Sequence, residues 1–210
     1  MTPRDEVRQR VWGLYGLADS GAGGGDPVRL GAALLEGGCR LIQLRCKGWS
    51  PEDTLRAALQ LGPRCRAVGA TFLINDLAQL VIESGADGVH VGQTDGDTDT
   101  IRAQIGPDRI LGRSTNALGA LPQAVAQADY VAFGPVFSTQ HTSRPRPVQG
   151  LERLARARAV VPEGVPLVAI GGITAGRLAS VRSAGASAWA VIGAIAGADD
   201  PVAATRALSA

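Results

Sequence analysis

FLINDLAQLVIESGADGVHVGQTD, residues 72–95, contains two short apolar runs, each followed by an acid. The first, 70–74, reads as a buried strand that stops at Asn75 and Asp76; the second, 88–91, reads as another that runs into Gly92, Gln93 and Asp95. Between them Leu77, Leu80, Val81 and Ala86 recur at roughly helical spacing, and Gly85 supplies a C-terminal stop. Strand, helix and strand within about 25 residues make a tight βαβ unit. With both strands parallel, Asp76 and Asp95 leave the same edge of the sheet, where parallel sheets place their chemistry. Two hard oxygen ligands there point to Mg²⁺, and Mg²⁺ points to a phosphate. The ordinary alternative is that each acid caps the helix after it.

The same rhythm runs outward in both directions. Upstream, 12–18 reads as a strand closed by Asp19 and the run GAGGGDP, which is either a loop over a site or, favoured by the absence of a fixed glycine motif, a long turn. Pro27 and Gly37-Gly38 bracket a helix, and 41–44 is a strand ending in Gln43, Arg45 and Lys47. Ser50-Pro51-Glu52-Asp53 starts a helix that carries to about Val68, with an interruption expected at Gly62-Pro63. Downstream, strands are read at 109–112, running to Ser114-Thr115-Asn116, and at 130–133, 167–170 and 188–192. Eight short runs rich in Val, Ile and Leu alternate with helical segments, the pattern of fully buried parallel strands. A single-domain TIM (β/α)8 barrel over residues 1–210 is the expected fold, with 1–10 an exposed helix or frayed end. A doubly wound open sheet is the alternative, but no strand carries the charge or proline that blunts an edge.

Composition narrows the function. The net charge is +2 and only 4% of residues are aromatic, without a basic block, so the footprint of a nucleic-acid binder is missing. No apolar run approaches the roughly 20 residues of a membrane span, and the first ten residues lack a signal-peptide core, so a cytoplasmic protein is expected. Three cysteines, Cys39, Cys46 and Cys65, leave one unpaired in any disulfide scheme and match no zinc spacing. Of 21 basic residues all but Lys47 are arginine, which marks Lys47 either as a required compact ammonium or as a chance survivor on the surface.

In a barrel the C-terminal strand ends share one mouth. It receives Gln43, Arg45 and Lys47, then Asn75 and Asp76, Asp95, Ser114, the loop residues Thr139, Gln140, His141 and Thr142, and the glycines Gly171, Gly172 and Gly193. Two cations, two acids, hydroxyls and bare amides suit a metal-bridged diphosphate and a second phosphate. Gly171-Gly172 before Thr174 is similar to the phosphate cradle that follows a seventh barrel strand. His90, inside a strand, reads as a packed residue; His141 is either a substrate-facing or a solvated side chain; Ser114 is either a ligand contact or a helix cap.

The motifs QLRCK, INDLAQL, GADGVHVGQTD, ILGRSTNAL, ADYVAFGPVFST and VAIGGI, in this order between Leu14 and Ile195, resemble the thiamine phosphate synthase family. The resemblance implies a reaction in which a hydroxymethylpyrimidine diphosphate loses its diphosphate and a thiazole phosphate nitrogen takes its place. It carries the pyrimidine diphosphate site onto Gln43, Leu44, Arg45, Cys46, Lys47, Asn75 and Ser114, and the Mg²⁺ ligands onto Asp76 and Asp95. Arg45, Lys47 and Ser114 are then the catalytic residues, and small molecules the partners, with a homo-oligomer left open. The family's T-x-T-K loop falls on Thr139, Gln140, His141 and Thr142, so its second threonine and its lysine are replaced; Arg144 and Arg146 are the nearby cations. The family's serine after strand eight falls on Gly193, following Ile192, and its second GADG reads GASA here. A related thiazole tautomerase branch resembles G-H-V-F where this chain has Gly134-Pro135-Val136-Phe137. A binder that keeps the pyrimidine side without turnover is the third reading.

Overall fold

In the computed structural model, which describes residues 3–93, 95–141 and 146–209 (Pro3 and Arg4 by backbone alone), the apolar runs become strands of four to seven residues. The order is α1 (Pro3–Gln9), β1 (Gly13–Asp19), α2 (Pro27–Glu36), β2 (Leu41–Arg45), α3 (Pro51–Ala67), β3 (Thr71–Asn75), α4 (Leu80–Ser84), β4 (Gly88–Val91) and α5 (Thr98–Ile105). It continues with β5 (Ile110–Thr115), α6 (Leu121–Gln127), β6 (Tyr130–Phe133), α7 (Gly150–Val160), β7 (Leu167–Ile170), α8 (Ala175–Ser183), β8 (Ala188–Val191), α9 (Gly193–Ala196) and α10 (Pro201–Ser209). Every strand pairs in parallel with the next, and β8 returns to β1 with Ala188 opposite Gly13 and Val191 opposite Gly16. The TIM barrel is the fold, and closure leaves no edge strand for an open sheet to expose.

Side chains alternate across the barrel wall. Ile42, Leu44, Phe72, Ile74, Val89, Leu111, Val131 and Phe133 face outward and meet helix residues such as Leu34, Leu61 and Leu154 in one continuous cluster. Tyr15, Leu17, Leu41, Leu73, Ile110, Tyr130, Val168 and Ala190 face inward and form a second cluster. The large Tyr130 ring fits inside because its neighbour on β5, Gly112, has no Cβ: a methyl there would overlap the phenol ring itself.

The N-terminal ends of the strands are stitched by a repeated device. Asp87 accepts from the Phe72 amide (2.8 Å) and Asp129 from the Leu111 amide (2.8 Å), while Ser187 Oγ accepts from the Leu167 amide at 3.3 Å. The GASA sequence is thus a variant of the stitch at the bottom of the barrel, on the face opposite the mouth. Burying Asp129 requires a counter-charge, and Arg102 supplies it at 2.6 Å.

Several boundaries differ from the sequence expectation for local reasons. α3 is not interrupted at Gly62-Pro63: Pro63 leaves the Leu59 carbonyl without its helical donor, but Leu59 lies on the exposed face of the helix, where that loss costs least. β5 extends through Thr115, so Ser114 lies within the strand. α4 is a single short helix, because the chain first makes a tight turn in which the Leu77 and Ala78 amides donate to the Asn75 and Asp76 carbonyls. The N-terminal residues from Pro3 are helical, and GAGGGDP is a turn that ends in Asp26 capping α2 through the Val28 and Arg29 amides. Among the described residues no helix is long and apolar enough to cross a membrane.

Candidate functional site

The mouth is charged along one arc. Arg45, at the end of β2, is ion-paired with Asp19 at the end of β1, and Asp19 also accepts from the Gly21 amide at 2.7 Å. Lys47, just beyond β2, donates to Asp76 Oδ2 at 2.7 Å. Asp76 stands next to Asp95, whose carboxylate is anchored by the Gly92 amide at 2.7 Å. Neither acid caps a helix: α4 has Gln79 at its cap position, and α5 is capped by Asp97. The capping alternative therefore falls.

Asp76 is the one non-glycine residue with positive φ (63°) among the described residues. Its backbone is held there by its own amide on the His90 carbonyl (2.9 Å) and by the turn that follows. Strained backbone of this kind, adopted by the residue type that tolerates it, aims the carboxylate into the mouth rather than along the next helix.

The two carboxylates share the problem of like charge at close range. Burial pushes the Asp76 carboxyl up, against the pull of Lys47, and the neighbouring Asp95 pushes it further up. For Asp95 burial also acts upward, but the hydrogen bond with Asp76, the Gly92 amide and the Lys47 charge together hold it below the usual carboxylate value. A pair in this state has a deficit of positive charge that Lys47 alone does not fill. Two adjacent oxygen donors beside open space are what a hard divalent ion takes, the remaining positions being left to water and phosphate oxygens. The donor set fits Mg²⁺; among the described residues no third acid, histidine or cysteine joins it.

The other residues singled out from the sequence divide by direction. Gln43 faces inward from β2 and donates to the Tyr15 hydroxyl at 2.6 Å, and Ser114 faces inward from β5. Asn75 ends β3 half-buried beside them. Leu44 points the other way, fully buried among the helices, so that only its backbone reaches the mouth. Cys46 likewise packs against the outer cluster, and its thiol is pushed up to about 12 by burial. All three cysteines are free.

His90 is packed, as the sequence implies, and also connected: its two ring nitrogens lie 2.8 Å from Tyr130 Oη and 2.8 Å from Ser114 Oγ. The β6–β8 arc is built differently, from backbone. The Val136 and Phe137 amides donate to the Ile170 and Gly171 carbonyls, so the segment after β6 lies against the end of β7. Gly172 has φ +62°, and a Cβ there would run into the Ser138 carbonyl. Glycine is required by this approach alone. Thr139 is partly buried, Gln140 and His141 are exposed, and Thr142 and Arg144 lie outside the described residues.

His141 and Gly193 meet: a Cβ on Gly193 would lie 2.5 Å from both Cδ2 and Nε2 of the imidazole. The ring occupies the place where a side chain after Ile192 would project. The histidine in place of the family's second threonine and the glycine in place of its serine therefore meet at one spot. Arg177, in the first turn of α8, donates to the Gly172 carbonyl at 2.7 Å and lies 4.5 Å over the Phe137 ring, which brings a cation to this arc.

Sequence reading alone misses Asp19 as the partner of Arg45, the tyrosine pair behind Gln43 and His90, and Arg177. For Asp19 a signal exists, since an acid closing a strand of a barrel is a mouth residue by position. A cleft of about 840 Å³ opens on the flank between α2 and α3, lined by Asp26, Trp49, Asp53 and Arg56 among others. It includes neither Asp76 nor Arg45, so the chemistry and not the volume marks the site.

The chain is similar to known proteins over most of its length. The family model described as thiamine monophosphate synthase matches residues 14–195. The thiamine-phosphate synthase of Chromobacterium violaceum is 42% identical over 202 residues, 95% of this chain and 96% of the relative. That of Laribacter hongkongensis is 40% identical over 181 residues, 86% of this chain and 85% of the relative. Among solved structures, thiamine phosphate pyrophosphorylase from Pyrococcus furiosus superposes with a TM-score of 0.84 at 30% identity, covering 99% of this chain and 96% of that one. With the motifs in order, the barrel closed and the paired acids at its mouth, the chain belongs to the thiamine monophosphate synthase family.

Proposed function

We propose that the chain joins hydroxymethylpyrimidine diphosphate to thiazole phosphate, giving thiamine phosphate and diphosphate. The carrying observation is the convergence of Arg45, Lys47, Asp76 and Asp95 at one mouth, supported by relatives that bear the synthase name over nearly the whole chain. The bond from the methylene carbon to the diphosphate oxygen breaks, the electron pair leaves with the diphosphate, and the thiazole nitrogen lone pair forms the new C–N bond.

The residues suit a path limited by charge on the leaving group. Arg45, fixed at one edge by Asp19, keeps its other donors for phosphate oxygens, and Lys47 adds a point charge. Mg²⁺ held by Asp76 and Asp95 would neutralise the diphosphate further. The aminopyrimidine delocalises the positive charge left on the methylene carbon, so no strong general base is needed. Ser114 and Asn75 contact the pyrimidine side, with Gln43 beneath it. Thr139, Gln140, His141, Gly172 and Gly193 face the thiazole phosphate, Arg177 serving as the cation of that arc.

The isomerase branch carries its imidazole directly after the glycine that closes β6, in G-H-V-F, and here Pro135 follows Gly134, while both nitrogens of His90 are engaged. The reading is that of a cytoplasmic enzyme whose three free thiols stay reduced. It is tested by incubating the protein with the two substrates and Mg²⁺ and assaying thiamine phosphate, with and without EDTA. Absence of product under conditions where the Chromobacterium violaceum relative works would remove it.

A further inference from the structure

The two cations of the charged arc are held in opposite ways. Arg45 pairs with Asp19, which stands apart from the Asp76–Asp95 pair, and the two side chains are only 17% and 4% exposed. Asp19 also accepts from the Gly21 amide at 2.7 Å, so Arg45 has a buried acid of its own. Lys47 instead shares an acid. Its ammonium donates to Asp76 Oδ2 at 2.7 Å, and Asp76 is one of the two carboxylates that suit a divalent ion. The side chains of this second pair are 48% and 24% exposed, which leaves it open to exchange with ions from solvent.

Within the second pair the acid is fixed and the base is not. The Asp76 backbone is set at φ 63° with its amide on the His90 carbonyl (2.9 Å), and Asp95 beside it is anchored by the Gly92 amide (2.7 Å). Lys47 reaches Asp76 from the turn between β2 and α3 on a flexible four-carbon stem. Its ammonium is a compact point charge without a lone pair, so it can rest on a carboxylate as an ion does but cannot join a metal's ligands. A hard divalent ion asks for the same carboxylate oxygens. Two cations at one carboxylate repel, and the one on a rotatable stem is the one free to turn away. Composition agrees with an exchangeable head group. Lysine stands only here among 21 basic residues, at the place where the planar fork of arginine would grip the carboxylate through two hydrogen bonds.

We propose that Lys47 is the resident counter-ion of the Asp76–Asp95 pair, so that binding of Mg²⁺ at the pair and release of the ammonium from Asp76 are one exchange. Lys47 and Mg²⁺ are then antagonists at the acid pair, and by linkage each weakens the other's hold there by the same factor. The consequence for the proposed reaction is an order of events. While the ammonium is engaged on Asp76 it is withheld from a diphosphate; once displaced, it can turn to a phosphate oxygen. Arg45, kept by Asp19, is available throughout. The mobile cation of the site is thus delivered only with the metal in place.

The inference rests on the reading of Asp76 and Asp95 as metal ligands, and the experiment keeps the two apart. Mg²⁺ binding to the full chain without substrates is measured by calorimetry, at fixed pH and ionic strength, for the wild type, Lys47→Gln and Lys47→Arg. Lys47→Gln is expected to bind Mg²⁺ about three- to tenfold more tightly than the wild type, the strength of a part-exposed ion pair together with the repulsion removed. Lys47→Arg keeps the charge and is expected to bind no more tightly than the wild type. If the lysine merely held Asp76 in position, Lys47→Gln would bind Mg²⁺ more weakly; that sign, or an unchanged affinity, overturns the proposal. A second readout uses the composition: protein grown with isotope-labelled lysine has one lysine side-chain NMR signal, that of Lys47. Saturating Mg²⁺ is expected to move this signal toward its position in Asp76→Asn, where the ion pair is lost. A signal that saturating Mg²⁺ leaves in place shows the ammonium still on Asp76 and overturns the proposal whatever the affinities. If neither the wild type nor Lys47→Gln takes up Mg²⁺, the acid pair is not a metal site, and the reading beneath the proposal falls with it.

Discussion

The mouth of this barrel is made in two ways. From β1 to β5 it is made of side chains in mutual contact: Asp19 with Arg45, Lys47 with Asp76, Asp76 with Asp95, His90 with Ser114. From β6 to β8 it is made of backbone, with glycines at close approaches and a single exposed imidazole resting on Gly193. The charged arc must pay for bringing like carboxylates together, and each of its members is fixed by another. The backbone arc needs shape more than identity, so its side chains have room to change. That is where this chain departs from the family pattern, while QLRCK, Asp76 and Asp95 stay intact.

The largest effect should come from the charged arc. Asp76→Asn keeps a residue type that tolerates the left-handed backbone, so the fold survives. It is expected to lower kcat about 10³-fold and to weaken the dependence of rate on Mg²⁺ concentration, since both the metal and the charge balance with Lys47 suffer. Steady-state kinetics across a Mg²⁺ titration measure both. An Asp76→Asn enzyme with normal Mg²⁺ response and a raised KM for thiazole phosphate alone would break the division between the arcs.

The charged arc also carries a pH liability. Burial holds His90 near about 4, below the ordinary histidine value of 6.5, so the folded state resists a proton that the unfolded chain accepts. The sign follows: the contribution is complete above pH 6.5 and is lost as pH falls toward 4, on the order of 3 kcal/mol in all. Urea denaturation between pH 7 and 4, wild type against His90→Asn, compares the slopes with the Asp76–Asp95 pair present in both proteins. Parallel curves would show that His90 is not the residue that resists protonation.

The fold was legible because the strands are short, apolar on both faces and separated by helical repeats, a pattern with one good closure at this length. The acids were legible because they end such runs. The tyrosine pair behind Gln43 and His90 was not, since Tyr15 and Tyr130 lie inside apolar runs and read there as filling, and only strand register places their hydroxyls 2.9 Å apart. His90 was read as packed, which it is, but its two partners come from other strands 24 and 40 residues away. Likewise His141 and Gly193 read as two separate departures, and only the structure puts the imidazole on Gly193. Local patterns report an element; which elements share a cavity is a property of closure.

On the backbone arc, Gly172→Ala should act through conformation. Its φ of +62° disfavours alanine, and the new methyl runs into the Ser138 carbonyl. A cost of about 1–3 kcal/mol is expected, equivalent to a fall in Tm of roughly 3–10 °C for a domain of this size. Because the β6 segment must shift, KM for thiazole phosphate should rise, while the Mg²⁺ dependence stays as in the wild type. Thermal melts and two-substrate kinetics separate the effects. A changed Mg²⁺ dependence would mean that the two arcs are not independent.

The smallest effect tests the exchange between His141 and Gly193. Gly193→Ser alone places its Cβ 2.5 Å from the imidazole, but His141 is on an exposed loop and can swing aside. A loss of about two- to tenfold in kcat/KM for thiazole phosphate is expected, the worth of one neutral hydrogen bond. His141→Ala alone should cost a similar amount, by emptying the space over Gly193. Together the changes should restore activity toward the wild type, because the serine then occupies the space that the imidazole vacates; contacts of this kind give non-additive double mutants. Strict additivity would show that the imidazole and the missing side chain do not compete for one place, and that Gly193 is tolerated simply because the backbone of this arc does the binding.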